Sequence, residues 1–269
     1  MTSEDHRVAV ITGAAGGIGS ATARRLGRLG YRLALSDLDA RALEGLAEEL
    51  RGEGIVVSTR TLDLREREGL EVWAEEIASK DGCIHLLVNN AGVTTWGRYR
   101  DQSAEDIDWL MDINVRALMH TCHVFLPLLR RAKGGHIVNV SSMIALFSGP
   151  LQTTYTASKW AVLGFSRALR LELRGEGVGV SCVLPGLTAT PFMSDSRSYD
   201  AAGTSKMGHL MRRYGMSPER VARAIHRAIL RNRAEVHVGI DCHLVAFSQR
   251  FLPRLLPWLI DRIYPRLVS

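Results

Sequence analysis

The sequence predicts an α/β fold in which a doubly wound parallel sheet carries helices on both faces. Short apolar segments alternate with helical patterns along most of the chain. The apolar segments are uniformly rich in Val, Ile and Leu, as expected where both faces of a parallel sheet are covered. Strand–helix alternation also requires crossover connections, which favours one doubly wound sheet. The 269 residues are enough to bury a large core without disulfides or metal.

Each predicted element follows from a local pattern. The strands are expected at residues 7–12, 32–37, 55–59, 84–89, 136–141, 178–184 and 235–238. Helical periodicity lies between them, at residues 17–29, 40–51, 65–79, 104–130, 154–174 and 218–231. We therefore expect one domain over residues 1–243, in which residues 187–216 form a substrate lid, followed by an apolar and basic tail over residues 244–269.

Composition excludes several classes of protein. Hydrophobic residues make up 46% and charged residues 23% of the chain, which excludes a disordered or fibrous protein. The four cysteines are far apart and form no CxxC pair, so we expect free thiols, no metal site and a reducing cytoplasmic location. The start of the chain shows no apolar core of a signal peptide.

Charge is unevenly distributed along the chain. The net charge is +6, but residues 206–269 hold 12 basic and 4 acidic residues. Such a basic region would suit nucleic acid or an anionic membrane. A solvated helix face explains it more simply, and we expect no nucleic-acid partner.

A glycine-rich turn follows the first strand and precedes the first helix. It reads Thr12-Gly13-Ala14-Ala15-Gly16-Gly17-Ile18-Gly19. Glycines allow the backbone to approach a pyrophosphate, and the helix N-terminus offers N–H groups and a positive dipole end. The turn therefore predicts a Rossmann-type dinucleotide site, with contacts from Gly13, Ala15, Gly16, Gly17, Ile18 and Gly19.

Acidic residues end the second strand and follow the third. Asp37 can accept hydrogen bonds from the adenosine ribose and repel a 2′-phosphate, and neither Ala15 nor Leu38 is basic. These residues favour NAD over NADP. Alternatively, Asp37 or Asp39 caps the next helix. Asp63, beside Leu64, is expected near the adenine edge, although a helix cap would look much the same.

Further motifs follow the later strands in a fixed order. They are Asn89-Asn90-Ala91-Gly92, Asn114, Ser142, Tyr155-Thr156-Ala157-Ser158-Lys159, and Pro185-Gly186 with Thr190. Together with the TGxxxGxG turn, this set resembles the short-chain dehydrogenase/reductase family in its compact single-domain branch. The resemblance covers about residues 6–240, and six motifs in the right order are very specific.

The resemblance implies a fold and a set of site residues. It implies a seven-stranded parallel sheet of order 3-2-1-4-5-6-7 and a catalytic set of Asn114, Ser142, Tyr155 and Lys159. It also implies that Asn90 supports the sheet centre and that Lys159 binds the nicotinamide ribose. The cofactor is expected to meet Asn90, Ala91, Gly92, Tyr155, Lys159, Pro185, Gly186, Thr188 and Thr190. A homodimer or homotetramer built on the helices at residues 104–130 and 154–174 is a further implication.

The residue types and spacing of Tyr155 and Lys159 indicate an acid–base pair without reference to the family. They are four residues apart and so share one helix face. A phenol of pKa about 10 is a poor base at neutral pH, but a nearby ammonium and a positive nicotinamide ring favour its phenolate. Tyr155 would then take a proton from a substrate hydroxyl, Ser142 would hold the substrate oxygen, and Asn114 would anchor a relay water beside Lys159.

The substrate end is less sharply defined by sequence. Ligands of such sheets bind beyond the carboxyl ends of the strands, where Ser142, Ile144, Gln152, Tyr155, Leu187 and Phe192 are expected. Met and aromatic residues over 187–216 favour a hydrophobic secondary alcohol or ketone, such as a steroid, terpenoid, retinoid or lipid-like molecule. The alternatives are an NADP-dependent carbonyl or 3-oxoacyl reductase and an NAD-binding sensor or scaffold without turnover.

The tail over residues 244–268 interleaves Arg with large apolar residues. This pattern suits an interfacial helix lying on a membrane. Pro253, Pro257 and Pro265 argue against one long helix but allow short ones. Packing on the protein's own cleft or on a neighbouring subunit is the other explanation, so peripheral membrane contact is one of two open alternatives.

Overall fold

A computed structural model describes residues 7–268, with side chains described as far as Arg262. Within this range lie nine strands: β1 Val8–Thr12, β2 Arg32–Asp37, β3 Val57–Thr61, β4 Leu86–Asn89, β5 Thr95–Trp96, β6 His136–Val140, β7 Gly179–Pro185, β8 Arg197–Ser198 and β9 Glu235–Val238. Seven of them form one parallel sheet of order β3-β2-β1-β4-β6-β7-β9. The predicted order is confirmed, because these seven strands follow it when counted along the chain.

Helices connect and cover the strands. The ten α-helices of the described residues are α1 Gly17–Gly27, α2 Ala40–Gly52, α3 Arg67–Asp81, α4 Ala104–Met111, α5 Leu118–Arg131, α6 Thr153–Glu172, α7 Ala201–Tyr214, α8 Pro218–Leu230, α9 Ile240–Phe251 and α10 Leu255–Val268. Short 3₁₀ turns include Met143–Leu146, which follows β6.

Alternating strand residues build a core on each face of the sheet. Val8 and Val10 of β1 pack with apolar residues of α3, α5 and α6. The intervening Ala9 and Ile11 pack with residues of α1, α2 and α8. Because both alternating sets are buried, the strand reads as a continuous apolar run. This packing confirms the doubly wound arrangement with helices on both faces.

Two predicted elements need correction. The third strand begins at Val57 rather than at residue 55, because Gly54 turns with φ +79° and Ile55 packs against Gly27 of α1. The helix predicted over 104–130 is two helices separated by a π-helical segment, Asp112–Ala117. The side chain of Asn114 within this segment bonds to the backbone of Val93, which fixes the wide turn in place.

The lid segment, residues 187–216 that the sequence predicts to form a substrate lid, has its own structure. Its ends are joined, since Met216 N–H donates to the Leu187 carbonyl and Ala189 N–H donates to that of Met216. Between these ends, β8 pairs with β5 and α7 follows. No sequence pattern indicates the two-residue strands.

The tail consists of two helices rather than one. The first, α9, begins at Ile240 and so crosses the expected boundary between residues 243 and 244. Pro253 lies among the three residues that separate α9 from α10, and Pro257 lies in the first turn of α10, where its missing N–H breaks no helical bond. Pro265 falls within α10, but its side chain is outside the described set.

Three further properties concern residues 7–268. No helix in this range is both long and apolar enough to cross a bilayer. No group of three or more His, Cys, Asp or Glu side chains there is arranged to hold a metal ion. The four cysteines are free thiols.

Candidate active site

The glycine-rich turn joins β1 to α1 at the carboxyl edge of the sheet. Gly13 has φ +62°, and a Cβ there would lie 2.7 Å from the Ala91 Cα. Gly17 lies so close to the lid loop that its Cβ would come within 2.6 Å of Thr190 Cγ2. Any side chain at these positions would separate the turn from the loops that follow β4 and β7. Gly19 faces the Gly13 carbonyl, and Ile18 packs on the core beside α1.

The N-terminus of α1 fits a phosphate group. Gly16 is its N-cap residue and supplies no side-chain capping bond. A Cβ built on Gly16 would meet nothing closer than the Gly13 carbonyl, at 3.5 Å. Among the described residues, no side chain therefore caps the N–H groups of the first turn or fills the space beside Gly16. This arrangement suits an anionic ligand.

Asp37 binds the glycine-rich turn directly. Its Oδ2 accepts from Ala15 N–H at 2.9 Å, and its Oδ1 accepts from Asp39 N–H at 3.1 Å. The cap of α2 is Asp39, whose Oδ1 accepts from the N–H groups of Arg41 and Ala42. Asp37 is therefore not the cap of α2. Its neighbour Leu38 is 68% exposed.

Asp63 forms an ion pair that sequence reasoning missed. Its carboxylate accepts from the Arg65 backbone N–H at 3.0 Å and from the Arg65 guanidinium. This pairing lowers the pKa of Asp63. The cap position of α3 belongs to Glu66, so Asp63 is not its cap. Leu64 packs against the core beneath α3.

Asn90 ties the carboxyl end of β4 to that of β1. Its Nδ2 donates to the Gly13 carbonyl at 2.8 Å, while Thr12 Oγ1 accepts from Asn90 N–H and Ala91 N–H. A Cβ on Gly92 would lie 3.2 Å from Asn114 Oδ1 and 3.3 Å from Lys159 Nζ. The loop after β4 therefore brings the glycine-rich turn and two of the predicted catalytic residues together.

The side chain of Asn114 holds the loop after β4 through hydrogen bonds to the Val93 backbone. Its Oδ1 accepts from Val93 N–H at 2.8 Å, and its Nδ2 donates to the Val93 carbonyl and to Ser158 Oγ. Both amide hydrogens are used within the protein, so a relay water at Asn114 would have to donate to one of its acceptor oxygens.

Tyr155 and Lys159 lie on the buried face of α6. The Lys159 ammonium is 5.6 Å from the Tyr155 ring centroid and donates to the Val140 carbonyl at 3.2 Å. Burial lowers the pKa of Lys159 to about 8. Burial also raises the pKa of Tyr155 to about 12, although a hydrogen bond with Ser142 acts in the opposite direction. In the protein alone, burial therefore opposes the Tyr155 phenolate, and the lowered phenol pKa expected from the sequence depends on the positive nicotinamide ring as well as on Lys159.

Apolar side chains surround the Tyr155 phenol. Tyr155 clusters with Leu110 and Ile144, and Phe192 packs beside it with ring centroids 5.8 Å apart. Ser142 caps the turn that carries Ile144, accepting from the Ile144 N–H. The side chain of Gln152, another expected substrate contact, donates to Thr94 Oγ1 at 3.3 Å.

The loop after β7 is held by a residue that sequence reasoning missed. Asp241 Oδ2, in the first turn of α9, accepts from Leu187 N–H at 2.7 Å. Gly186 N–H donates to the Val238 carbonyl, and buried Thr188 donates to the carbonyl of Gly186. Asp241 therefore fixes the loop that runs from Pro185 to Thr190. No local pattern marked it, because the contact spans 54 residues.

The lid segment is also held to α4, near β8. Asp106 accepts from the Tyr199 hydroxyl at 2.6 Å and forms an ion pair with Arg197. The Arg197 guanidinium also lies 3.9 Å from the Trp109 ring centroid. These contacts hold the lid against the helix that leads to Asn114.

The chain belongs to the short-chain dehydrogenase family. The family model for short-chain dehydrogenases matches residues 7–201, which is more than half of the chain. Accordingly, the protein is an oxidoreductase of the NAD(P)-binding Rossmann fold. The resemblance inferred from the motifs is confirmed.

Two relatives illustrate the range of the family. The chain is 34% identical over 259 residues to the protein SadH of Mycobacterium tuberculosis, covering 94% of this chain and 93% of SadH. It is 32% identical over 221 residues to the 3-oxoacyl-[acyl-carrier-protein] reductase FabG of Thermotoga maritima, covering 82% of this chain and 89% of FabG.

Two solved structures differ in their cofactors. A short-chain dehydrogenase/reductase of Burkholderia phymatum in complex with NAD is 29% identical, with a TM-score of 0.86, covering 95% of this chain and 97% of its own. A metagenomic short-chain oxidoreductase in complex with NADP is 30% identical, with a TM-score of 0.71, covering 89% of this chain and 100% of its own. Similarity therefore does not decide between the two cofactors.

Proposed function

We propose that the protein is an NAD-dependent oxidoreductase that interconverts a secondary alcohol and a ketone on a hydrophobic small molecule. The observation that carries this proposal is the position of Tyr155 beside Lys159 and among the apolar side chains of Ile144 and Phe192. A proton-transfer group with an apolar surround suits an apolar carbinol better than a charged substrate. Candidates are steroid, terpenoid, retinoid and lipid-like alcohols.

The residues around the glycine-rich turn fit a nicotinamide dinucleotide. The pyrophosphate would meet the N–H groups at the start of α1, and the adenosine ribose hydroxyls would meet Asp37. The other half of the dinucleotide would lie along Asn90, Gly92, Lys159 and the loop from Pro185 to Thr190. When bound, the dinucleotide supplies the hydride acceptor, and its positive ring adds to the Lys159 charge that favours the Tyr155 phenolate.

Each catalytic side chain then has one task. Tyr155 Oη takes the proton from the substrate hydroxyl during oxidation and returns it during reduction. Ser142 donates a hydrogen bond to the substrate oxygen and holds it near Tyr155. Lys159 stabilises the phenolate and passes the proton toward solvent, through a water that donates to Asn114. Phe192 and Ile144 exclude bulk water from the reacting atoms.

An NADP-dependent 3-oxoacyl or carbonyl reductase is the second candidate, favoured by the similarity to FabG. Against it, the Asp37 carboxylate at the end of β2 would repel a 2′-phosphate on the adenosine ribose that we propose it binds, and Leu38 offers no cation. A sensor or scaffold without turnover would not need Tyr155, Lys159 and Ser142 beside one another. We therefore favour the NAD-dependent enzyme.

A cofactor and substrate panel tests this proposal. Purified protein is incubated with NAD⁺ or NADP⁺ and a series of hydrophobic secondary alcohols, and reduced nicotinamide is followed by absorbance. We expect turnover with NAD⁺ on one chemical group of alcohols. Turnover only with NADP⁺ would favour the reductase, whereas tight NAD binding with no turnover on any alcohol or ketone would favour the scaffold.

Asp241 offers a prediction about the nicotinamide end. Asp241→Ala removes the acceptor of Leu187 N–H, so the loop loses one charge-assisted hydrogen bond of about 1.5–3 kcal/mol. We expect the KM for NAD⁺ to rise about tenfold or more, with a smaller change in kcat. Asp241→Asn retains an acceptor oxygen and should recover most of the loss. Equal KM values in both variants and the wild type would exclude this positioning role.

We also propose that copies of the chain assemble through the outer faces of α5 and α6. Both helices pack on the same face of the sheet. Met119 on α5 and Trp160 and Leu171 on α6 are exposed apolar residues. Exposed apolar side chains on two helices of one layer suit a symmetric contact between copies.

A further inference from the structure

Helix α9 carries an exposed apolar stripe along one side. Ile240, Leu244, Phe247 and Phe251 are exposed by 72%, 64%, 57% and 59%. Their spacing of four, three and four residues places them on one helix face. The rings of Phe247 and Phe251 contact each other, with centroids 4.7 Å apart. The opposite side of α9 is buried at Cys242 and packs on β9 and on the turn that carries Ile144.

Helix α10 extends this apolar surface. Leu255, Trp258 and Leu259 are exposed by 41%, 50% and 38% and share one face, and Leu252 between the helices is exposed by 48%. We call these residues and the α9 stripe the C-terminal surface. So many large apolar side chains exposed on two adjoining helices indicate a docking site rather than ordinary solvent-facing surface.

Arginines border the C-terminal surface, and two of them lie against its rings. The Arg262 guanidinium lies 4.4 Å from the Trp258 ring centroid, and that of Arg250 lies 5.6 Å from the Phe251 ring centroid. Arg254 is exposed between the two helices. Arg beside Trp and Phe allows the rings to enter an apolar layer while the cations remain at its polar boundary.

The charge of the C-terminal surface distinguishes between its two candidate occupants, a second copy of the chain and an anionic membrane. A symmetric contact between two copies would bring the arginines of each C-terminal surface close to those of the other, which is unfavourable. Two acidic residues lie between 240 and 262, and one of them, Asp241, is turned inward to Leu187 N–H. Only the charge of Asp261 is then left to offset the charges of three arginines. An anionic lipid surface complements this charge.

We propose that the C-terminal surface docks on an anionic lipid bilayer, with α9 and α10 lying in the interface. Both helices are shorter than the roughly 20 residues that a bilayer span requires. Docking would place α9, and through it the turn with Ile144 and the loop held by Asp241, next to the membrane. If the proposed function is correct, a hydrophobic substrate then enters the cleft from the lipid phase.

Vesicle sedimentation of the full-length protein tests the proposal. The probes are vesicles of phosphatidylcholine alone and of phosphatidylcholine mixed with phosphatidylglycerol. We expect wild-type protein to sediment with the anionic vesicles at least about tenfold more strongly than with the neutral ones. The triple variant Phe247→Ser, Phe251→Ser, Trp258→Ser should lose about tenfold or more of the anionic-vesicle binding.

A matched variant controls for the general loss of apolar surface. Val56 and Leu230 are exposed by 52% and 67% and lie outside both the C-terminal surface and the proposed contact between copies, so Val56→Ser with Leu230→Ser should bind vesicles like the wild type. Equal unfolding temperatures would show that each variant folds. The readout involves no turnover, so failure of the proposed function would leave it intact.

Two results would overturn the proposal. One is wild-type protein that fails to sediment with anionic vesicles, and the other is a triple variant that sediments with them as well as the wild type. If the wild type binds no vesicles and the triple variant also dissociates into smaller oligomers, the C-terminal surface is instead a contact between copies.

Discussion

Tyr155→Phe is expected to lower kcat for alcohol oxidation by about a thousandfold while leaving NAD binding within about twofold. Only the hydroxyl is removed, and positioned proton transfer contributes about 10²- to 10⁴-fold to such reactions. The ring would keep its packing against Phe192 and Ile144, so the fold should be unaffected. Steady-state turnover and equilibrium binding of NAD, measured on the same preparation, separate the two effects.

Tyr31→Phe is the matched control for this substitution. Tyr31 is also buried, but its hydroxyl accepts a long bond of 3.4 Å from Arg7, at the opposite end of the sheet from the glycine-rich turn. Its turnover should equal that of the wild type. Unchanged turnover in Tyr155→Phe would contradict the proposed acid–base role, and equal losses in both variants would point to a general structural effect.

The double substitution Asp37→Asn, Leu38→Arg is expected to reverse the cofactor preference. It removes the charge that repels a 2′-phosphate and adds a cation at a side chain that is 68% exposed. The introduced amide would still offer an acceptor oxygen to Ala15 N–H, so the glycine-rich turn should keep its shape. We expect kcat/KM for NADP⁺ relative to NAD⁺ to change by about a thousandfold, since two charge-assisted interactions of about 1.5–3 kcal/mol each are altered.

Each single substitution isolates one contribution to this reversal. Leu38→Arg alone should improve NADP⁺ modestly, because the Asp37 carboxylate stays in place. Asp37→Asn alone should weaken NAD⁺ more than it improves NADP⁺. Wild-type protein that already prefers NADP⁺ would refute the role given to Asp37, as would a double variant that keeps the NAD⁺ preference of the parent.

The sheet was predictable because its signals are local and repeated. The central strands β1, β4, β6 and β7 are buried and rich in Val, Ile and Leu, and the glycine-rich turn fixes where β1 ends and α1 begins. The start of β3 was not predictable, since Ile55 resembles a strand residue but packs as a loop residue against Gly27. The strands β5 and β8 hold two residues each and depend on pairing across the chain, so no sequence pattern could indicate them.

The sequence predicts which site residues lie together when they follow the ends of strands. It does so less well when contacts between distant residues determine their positions. Gly92, Asn114 and Lys159 meet because the loop after β4 passes close to both α6 and the π-helical segment. The π-helical segment itself depends on the bonds from Asn114 to Val93, which lies 21 residues away. Asp241 and the Asp63–Arg65 pair likewise depend on tertiary geometry or side-chain conformation that periodicity does not encode.

Transfer of a labelled hydride tests the central claim most directly. Hydrophobic secondary alcohols carrying deuterium on the carbinol carbon are incubated with the protein and NAD⁺, and the reduced cofactor is examined by mass spectrometry. We expect NADH that carries one deuterium together with the matching ketone, and we expect much less of both from Tyr155→Phe. Deuterium-free NADH, or labelled NADH formed equally well by Tyr155→Phe, would contradict the claim.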